Sequence, residues 1–194
     1  MFIWLVRILL WLPAKIIFPT IVIGRKNLKN KKCVMVCNHQ SVLDPFLFLI
    51  NTNIMFHTLS KSEIFKNPIS KWVFTHLNCI PVNRKENDLS AIKSSLRVLK
   101  ENKRLLIFPA GTRSEEGKDF ENFKNGASLI AHKSGASVIP LAYNKKPKAF
   151  RLTKIYVGEP INFELPEDLK GNELYSEMTN QIEKNMNSLV KNRR

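Results

Sequence analysis

A histidine and an aspartate five positions apart are the residues of this chain best suited to acid–base chemistry. His39 and Asp44 follow the apolar run Cys33–Cys37. A histidine at a strand end can act as a general base near neutral pH, and a carboxylate on one ring nitrogen fixes its tautomer. Five positions correspond to about 140° around a continuous helix, which favours His39 in a turn and Asp44 in the first helical turn. A turn histidine with Asp44 as a helix cap would give the same spacing.

A second segment offers groups that suit a phosphate. The apolar run Leu105–Phe108 is followed closely by Gly111, Thr112 and Arg113. Glycine lets the backbone approach a ligand, and a hydroxyl beside a guanidinium supplies hydrogen-bond donors to phosphate. A tight turn with a solvated arginine is the alternative explanation of this segment.

Short apolar runs alternate with longer stretches of helical periodicity, which is typical of βα units and a largely parallel sheet. The predicted strands are Thr20–Ile23, Cys33–Cys37, Ile54–Leu59, Cys79–Val82, Leu105–Phe108, Val138–Tyr143 and Lys154–Val157. The predicted helices are Asp44–Ile50, Pro68–His76, Asp88–Asn102, Phe123–Lys133 and Asn172–Lys191. We therefore expect a single α/β domain, with a largely parallel sheet flanked by helices. Both chemical segments follow predicted strands, and ligands of such sheets collect where the strands end.

The charge of the chain points to an anionic partner. The 194 residues carry a net charge of +15, which suits nucleic acid, phospholipid or a phosphorylated substrate. Bias from an A+T-rich genome could supply part of the excess. The cations are nevertheless clustered, because Asp44 is the only acidic residue before Glu63 and none lies between Phe123 and Gly158. Since no nucleic-acid-binding motif is present, we expect no nucleic-acid partner.

The amino-terminal segment, residues 1–19, is almost wholly apolar and contains several aromatic residues. Arg7 and Pro13 interrupt it, and no unbroken apolar run approaches the ~20 residues that a spanning helix needs. Its bulky end does not suit a signal-peptide cleavage site. We therefore expect an amphipathic membrane-docking segment over residues 1–19, and a domain over residues 20–194. Packing on the protein's own core and a single tilted span are the alternatives.

The three cysteines, Cys33, Cys37 and Cys79, cannot all pair with one another. They lack the spacing of zinc ligands, so we expect no metal site. Cys33 and Cys37 fall on one face of the same predicted strand and are expected to be small buried hydrophobes in a reducing compartment.

Taken together, the ordered segments resemble the glycerolipid acyltransferase family, over roughly Lys26 to Ile161. The family's blocks correspond in order to Asn38 and His39 with Asp44, to Lys61, Glu63, Ile64 and Pro68, to Ile80, Val82 and Arg84, to Phe108–Ser114, and to Val138–Leu141. One position departs from the family, because Ala110 stands where a glutamate is usual. That carboxylate could orient the phosphate-binding arginine or order the loop, and alanine can do neither. A tolerated change, a laboratory variant and a weakened activity would each explain it.

The resemblance implies transfer of a fatty acyl group from acyl-CoA or acyl carrier protein to the free hydroxyl of 1-acylglycerol-3-phosphate, giving phosphatidic acid. His39 would deprotonate the hydroxyl and Asp44 would orient His39, with no metal, no cofactor and no Ser or Cys nucleophile. Backbone amides near Gly111 would stabilise the oxyanion. The substrate-binding residues implied are Asn38, Lys61, Arg84, Gly111, Thr112 and Arg113.

The implied partners are membrane phospholipids, lysophosphatidic acid and the acyl donor. The implied location is the cytoplasmic face of the cell membrane, through a monotopic or single amino-terminal anchor. Glycerol-3-phosphate or another lysophospholipid is the alternative acceptor. A non-catalytic basic protein that binds membrane or nucleic acid is the alternative class, although it would leave the ordered blocks unexplained.

Overall fold

Helices and strands alternate through the computed structural model, which describes residues 2–83, 88–113 and 122–191. The helices are α1 (Phe2–Ile17), α2 (Asp44–Asn51), α3 (Pro68–His76), α4 (Leu89–Lys100), α5 (Gly126–Ser134) and α6 (Gly171–Lys191). The strands are β1 (Thr20–Ile23), β2 (Cys33–Cys37), β3 (His57–Lys61), β4 (Cys79–Val82), β5 (Arg104–Ile107), β6 (Ser137–Tyr143) and β7 (Thr153–Val157). Short 3-10 helices cover Arg25–Lys29 and Ser62–Phe65.

The described strands form one sheet in the order β1-β7-β6-β2-β5-β3-β4. Strands β6, β2, β5, β3 and β4 are mutually parallel, and the antiparallel pairing of β6 with β7 reverses the direction for β7 and β1. The predicted α/β class and largely parallel sheet are therefore confirmed. Five strands end at one edge of the sheet, which we call the carboxyl edge.

The central strand β2 explains the layering, because all five of its residues are buried. Successive side chains of a strand point to opposite faces. Met35 packs with Ile3 of α1 and Phe48 of α2, whereas Val34 packs among side chains from α4, α5 and α6. Helices therefore cover both faces of the sheet. Cys33 and Cys37 share the face of Met35, and both are free and buried, as predicted.

Element boundaries were predicted to within a few residues, and strand β3 shows why they were not predicted better. The predicted strand Ile54–Leu59 begins three residues earlier than the observed one. Ile54 and Phe56 pack in the core without pairing in the sheet, since Asn53 turns the chain at a positive φ of 48°. An apolar pattern reports burial and does not distinguish a packed loop from a strand.

Helix α1 is partly packed on the protein and partly open. Ile3 and Ala14 are buried and α1 packs against α2, whereas Ile8 and Leu9 are exposed by 74% and 76%. The helix thus combines contact with the protein's own core and a broad exposed apolar side. Over the described residues, no helix combines the length and the apolar character that crossing a bilayer demands.

Candidate active site

His39 lies in the loop between β2 and α2, where Asp44, the first residue of α2, holds its ring. The distance between His39 Nδ1 and Asp44 Oδ2 is 2.9 Å. The His39 side chain is 14% exposed, while that of Asp44 is wholly buried. Because Nδ1 is occupied by Asp44, Nε2 is the ring nitrogen left to meet a substrate. The predicted arrangement, with the histidine in a turn and the aspartate in the first helical turn, is confirmed.

The same carboxylate oxygen organises the loop that carries the histidine. The backbone amides of Gln40 and Ser41 donate to Asp44 Oδ2 at 2.7 and 2.8 Å. These amides precede α2, so Asp44 does not cap the helix, and the alternative explanation of the spacing is wrong. Three donors converge on one carboxylate oxygen, which fixes the carboxylate and, through it, the imidazole plane.

An aromatic ring covers the imidazole from the neighbouring strand. Phe108, the first residue after β5, stacks on His39 with ring centroids 4.2 Å apart and planes inclined by 27°. The contact links the carboxyl ends of β2 and β5 and restrains the ring from its flat side. Phe108 was predicted as the end of a strand and the first residue of a family block, without a contact to His39. Its position at the start of the phosphate-type loop was the signal that could have identified it.

Asn38 was predicted to contact substrate, and the structure gives it different partners. Its side chain is 1% exposed. Its Nδ2 donates to the carbonyl oxygen of Tyr143 at 3.1 Å, and its Oδ1 accepts from the amide of Tyr143 at 2.7 Å. The Tyr143 hydroxyl in turn donates to the carbonyl oxygen of Asp44. Tyr143 therefore clamps both ends of the loop from Asn38 to Asp44, and Asn38 positions that loop.

We expect Tyr143→Phe to lower kcat about fivefold while leaving both KM values near those of the parent protein. The substitution removes only the hydroxyl bond to the Asp44 carbonyl, and one such bond contributes about 1 kcal/mol. Initial rates at saturating acceptor and donor, with thermal melts beside them, measure the effect. Tyr175→Phe, on α6 and away from His39, is the matched control. Equal rates for Tyr143→Phe and the control would show that the clamp does not act on catalysis.

Cys37 is the cysteine nearest the pair in sequence, and it is unsuited to act as a nucleophile. Burial raises the pKa of its thiol well above the usual value, and the negative charge of Asp44 raises it further. The group therefore stays protonated at neutral pH. Of the groups at this site, His39 is therefore the one suited to move a proton near neutral pH.

The segment that follows β5 forms a turn at the carboxyl edge. Gly111 has a positive φ of 70°, a conformation that other residues adopt at a cost, and its amide donates to the Phe108 carbonyl at 3.0 Å. That bond removes the Gly111 amide from the predicted oxyanion donors in this arrangement. Thr112 and Arg113 follow and are exposed.

Lys124, which is not among the predicted substrate-binding residues, lies over this turn. The side chain of Lys124 lies against Gly111, since any Cβ at position 111 would be 3.8 Å from Lys124 Nζ. The Lys124 amide also donates to the Pro109 carbonyl at 3.1 Å. Lys124 therefore places a cation beside the loop predicted to bind phosphate, and only the tertiary structure reveals it.

The remaining predicted cations belong to strands farther along the sheet. Lys61 ends β3 and is exposed at the carboxyl edge, beyond β5. Arg84 lies outside the described residues. The structure therefore brings His39, Asp44 and Phe108 into contact and places Lys61, Thr112 and Arg113 along the same edge.

The fold and the pair together define a class: an α/β domain that holds a carboxylate-oriented histidine at the end of its central parallel strand. The acyltransferase family model matches residues 20–144, which is more than half of the chain. This protein belongs to the acyltransferase family.

Three relatives illustrate the likeness, and all are 1-acyl-sn-glycerol-3-phosphate acyltransferases. The chloroplastic protein of Brassica napus is 32% identical over 138 residues, which cover 68% of this chain and 40% of that protein. The protein of Borreliella burgdorferi is 32% identical over 143 residues, covering 72% of this chain and 56% of its own length. That of Bacillus subtilis is 31% identical over 140 residues, covering 66% of each. The matched region thus spans less than two thirds of each of these relatives.

A solved structure shares the fold. The crystal structure of the 1-acyl-sn-glycerophosphate acyltransferase from Thermotoga maritima superposes with a TM-score of 0.68 and 23% sequence identity. The superposition covers 90% of this chain and 72% of that one. The α/β architecture described above is therefore that of a known acyltransferase.

Proposed function

We propose that this protein transfers a fatty acyl group from a thioester, on coenzyme A or acyl carrier protein, to the free hydroxyl of 1-acylglycerol-3-phosphate, and so produces phosphatidic acid. The observation that carries the proposal is the 2.9 Å contact between His39 Nδ1 and the buried Asp44 carboxylate. The names of the relatives support lysophosphatidic acid as the acceptor.

The reaction needs one group that moves a proton, and His39 supplies it. Nε2 takes the proton of the acceptor hydroxyl while the hydroxyl oxygen attacks the thioester carbonyl carbon. The tetrahedral intermediate collapses as the carbon–sulfur bond breaks, and the imidazolium returns its proton to the leaving thiolate. Asp44 stabilises the imidazolium in between. No metal or bound cofactor takes part in this scheme.

Cations at the carboxyl edge are suited to the acceptor phosphate. Arg113 supplies a planar fork of donors that matches a phosphate, and Lys124 and Lys61 supply point charges. Arg84, which follows β4, is proposed for the same group from its sequence block. Thr112 adds a hydroxyl beside Arg113.

An acyl-transfer assay with the full chain tests the function. The acceptors compared are lysophosphatidic acid, glycerol-3-phosphate and another lysophospholipid, each with acyl-CoA and with acyl-loaded carrier protein. Transfer to lysophosphatidic acid above the other two supports the proposal. Preference for glycerol-3-phosphate would change the acceptor but keep the chemistry, and no transfer with any pair would reject it.

We expect Arg113→Lys to raise the KM for the acceptor about tenfold and to leave the KM for the donor almost unchanged. A lysine keeps the charge but loses the bidentate geometry, and hydrogen bonds between charged groups contribute roughly 1.5–3 kcal/mol. Arg97→Lys, on an exposed position of α4, is the matched control. A rise in the donor KM alone would move Arg113 to the donor side and leave Arg84 for the phosphate.

Ala110→Glu is the second arm of the same experiment. A carboxylate beside Arg113 would orient the guanidinium, so activity and acceptor affinity should rise together. Two backbone bonds already hold this turn, from Gly111 to Phe108 and from Lys124 to Pro109. An unchanged rate in Ala110→Glu would mean that these two bonds suffice.

We also propose that residues 1–19 dock the protein on a membrane at its cytoplasmic face, ahead of an acyltransferase domain over residues 20–194. The exposed apolar side of α1, which includes Ile8, Leu9 and Trp11, supports this. An acyl acceptor that resides in a bilayer is reached from such a position.

Deleting residues 1–18 should release the protein from anionic vesicles more than replacing Lys145, Lys146 and Lys148 with glutamine does. Apolar burial contributes about 25 cal/mol per Å², whereas each lysine near an anionic surface contributes only about 1 kcal/mol. Vesicle flotation measures both, and circular dichroism checks that the truncated domain folds. Equal flotation with and without the segment would assign α1 to the protein's own core.

A further inference from the structure

The loop between β6 and β7 displays an aromatic side chain in a backbone conformation that aromatic residues avoid. Phe150 has a φ of 57°, in the left-handed region, and its side chain is 74% exposed. Non-glycine residues seldom adopt this region, and bulky ones are real outliers there. An exposed aromatic ring also gains nothing from the protein's own core. Phe150 therefore has two unfavourable features, a strained backbone conformation and an apolar ring that is exposed to water.

The rest of the chain shows how this sequence usually fills such positions. Among the residues that the structure describes, five non-glycine residues have a positive φ, and the other four are Asn53, Asn78, Asn102 and Asn122. Asparagine tolerates the left-handed region because its short polar side chain bonds locally. At position 150 the same backbone shape carries a phenylalanine instead. The ring at this position therefore serves something other than the turn.

Hydrogen bonds place Phe150 beside the end of α1. Its amide donates to the carbonyl oxygen of Ile17, and three residues later the amide of Thr153 donates to that of Pro19 at 2.8 Å. Two neighbouring side chains, Ile21 and Leu152, are also large, apolar and substantially exposed. We call Ile17, Ile21, Phe150 and Leu152 the Phe150 patch, which continues the exposed apolar side of α1.

Cations surround the Phe150 patch. The loop exposes Lys145, Lys146, Lys148 and Arg151. No acidic residue lies between positions 122 and 158. An apolar tip within a basic rim fits the headgroup region of an anionic bilayer, where the ring meets acyl chains and the cations meet phosphates. A protein partner would need an acidic rim around its own contact surface, and no feature of the fold favours a protein partner.

The loop between β6 and β7 begins at the same edge of the sheet as the candidate active site. It starts directly after β6, which is parallel to β2, so both strands end at the carboxyl edge. Tyr143, the last residue of β6, is bonded to Asn38, which immediately precedes His39. Contact of this loop with a membrane would therefore turn the edge that bears His39 towards the lipid.

We propose that the Phe150 patch inserts into the surface of an anionic phospholipid bilayer as a second docking point beside α1. This inference rests on the proposed membrane docking of residues 1–19 and deepens it. With α1 alone the domain could rotate about one contact, whereas two contacts fix which edge of the sheet faces the lipid. The carboxyl edge then receives the acceptor without its leaving the bilayer.

The test is flotation of the full chain with vesicles of equimolar phosphatidylcholine and phosphatidylglycerol, comparing the parent protein with Phe150→Asn. Asparagine suits the backbone at this position, so Tm should stay the same or rise. Partitioning should nevertheless fall about tenfold, equivalent to about 1.4 kcal/mol. Phe150→Trp should retain binding. Met55→Asn is the matched control, because Met55 is also exposed but precedes β3 and therefore lies at the opposite edge of the sheet from the Phe150 patch.

Three results would overturn the proposal. Unchanged flotation of Phe150→Asn would leave the ring without a membrane role and open the patch to a protein partner. A fall in Tm would mean that the ring stabilises the fold. An equal loss in Met55→Asn would reduce the effect to general hydrophobicity. Flotation needs no enzymatic activity, so failure of the proposed acyl transfer would leave this test intact. If acyl transfer is found, Phe150→Asn should lower its rate with an acceptor presented in vesicles. The rate with a short-chain acceptor dispersed as monomers should stay unchanged.

Discussion

His39→Ala should abolish nearly all acyl transfer, with kcat reduced by at least about 10²-fold, the low end for loss of a general base. The imidazole is the group that contacts Asp44 at 2.9 Å and keeps one nitrogen for the acceptor hydroxyl. Without it, the hydroxyl must attack while still protonated. Initial rates at saturating substrates measure the loss.

The control for this variant is another histidine. His132 lies on an exposed position of α5, and His132→Ala should keep the parent rate. Removal of His39 also leaves the buried Asp44 carboxylate with backbone donors alone, so thermal melts must accompany the rates. His39→Gln keeps a polar group on the carboxylate and serves as the second variant. Turnover near that of the parent protein in a folded His39→Gln would reject the proposed mechanism.

Asp44→Asn should lower kcat by about 10²–10⁴-fold, a range reached when a histidine loses its orienting carboxylate. Oδ2 accepts from the imidazole and from two backbone amides, while Oδ1 is buried without a partner among the described residues. An asparagine at position 44 would place its NH₂ group at one of these two positions. At the position of Oδ1 the group would be buried and unpaired, and at the position of Oδ2 it would face three donors. Both outcomes disturb the ring, and neither replaces the charge that stabilises the imidazolium. The measurement is kcat beside the KM of each substrate.

Asp88→Asn is the matched control for this loss. Asp88 also accepts from backbone amides, those of Ser90 and Ala91, but it caps α4. Hydrogen bonds, led by that from the Asn83 amide, lower its pKa to about 2. Its stabilising effect is therefore present at neutral pH and is lost only as the pH falls towards that value. Since asparagine caps a helix about as well as aspartate, catalysis should not change. A similar loss of kcat in both variants would mean that Asp44 acts through stability alone.

Local patterns in the sequence determined the architecture. The runs Cys33–Cys37 and Leu105–Phe108 are short, apolar and bounded by polar residues, and a chain alternating such runs with helical periodicity forms a parallel sheet. The spacing of His39 and Asp44 likewise favoured a turn followed by a helix start, but the contact between the two side chains was decided against a helix cap only by the structure.

Contacts between distant segments were decided by the tertiary structure. The bonds of Asn38 to Tyr143 join residues 105 positions apart, and the stacking of Phe108 on His39 joins two different strands. No periodicity encodes such pairs, since they depend on the order in which strands lie in the sheet. Asn38 was therefore predicted from the sequence as a substrate ligand, whereas the structure shows it buried and bonded to Tyr143.

The sequence by itself thus determined the α/β class, the histidine–aspartate pair and the strand ends that carry the chemical groups. Each of these follows from residues within a few positions of one another, whose geometry the backbone restricts. Only the tertiary structure decided that Lys124 covers the turn at Gly111 and that Phe150 lies beside the end of α1. The physical reason is that long-range proximity is set by packing of whole elements, which local spacing does not contain.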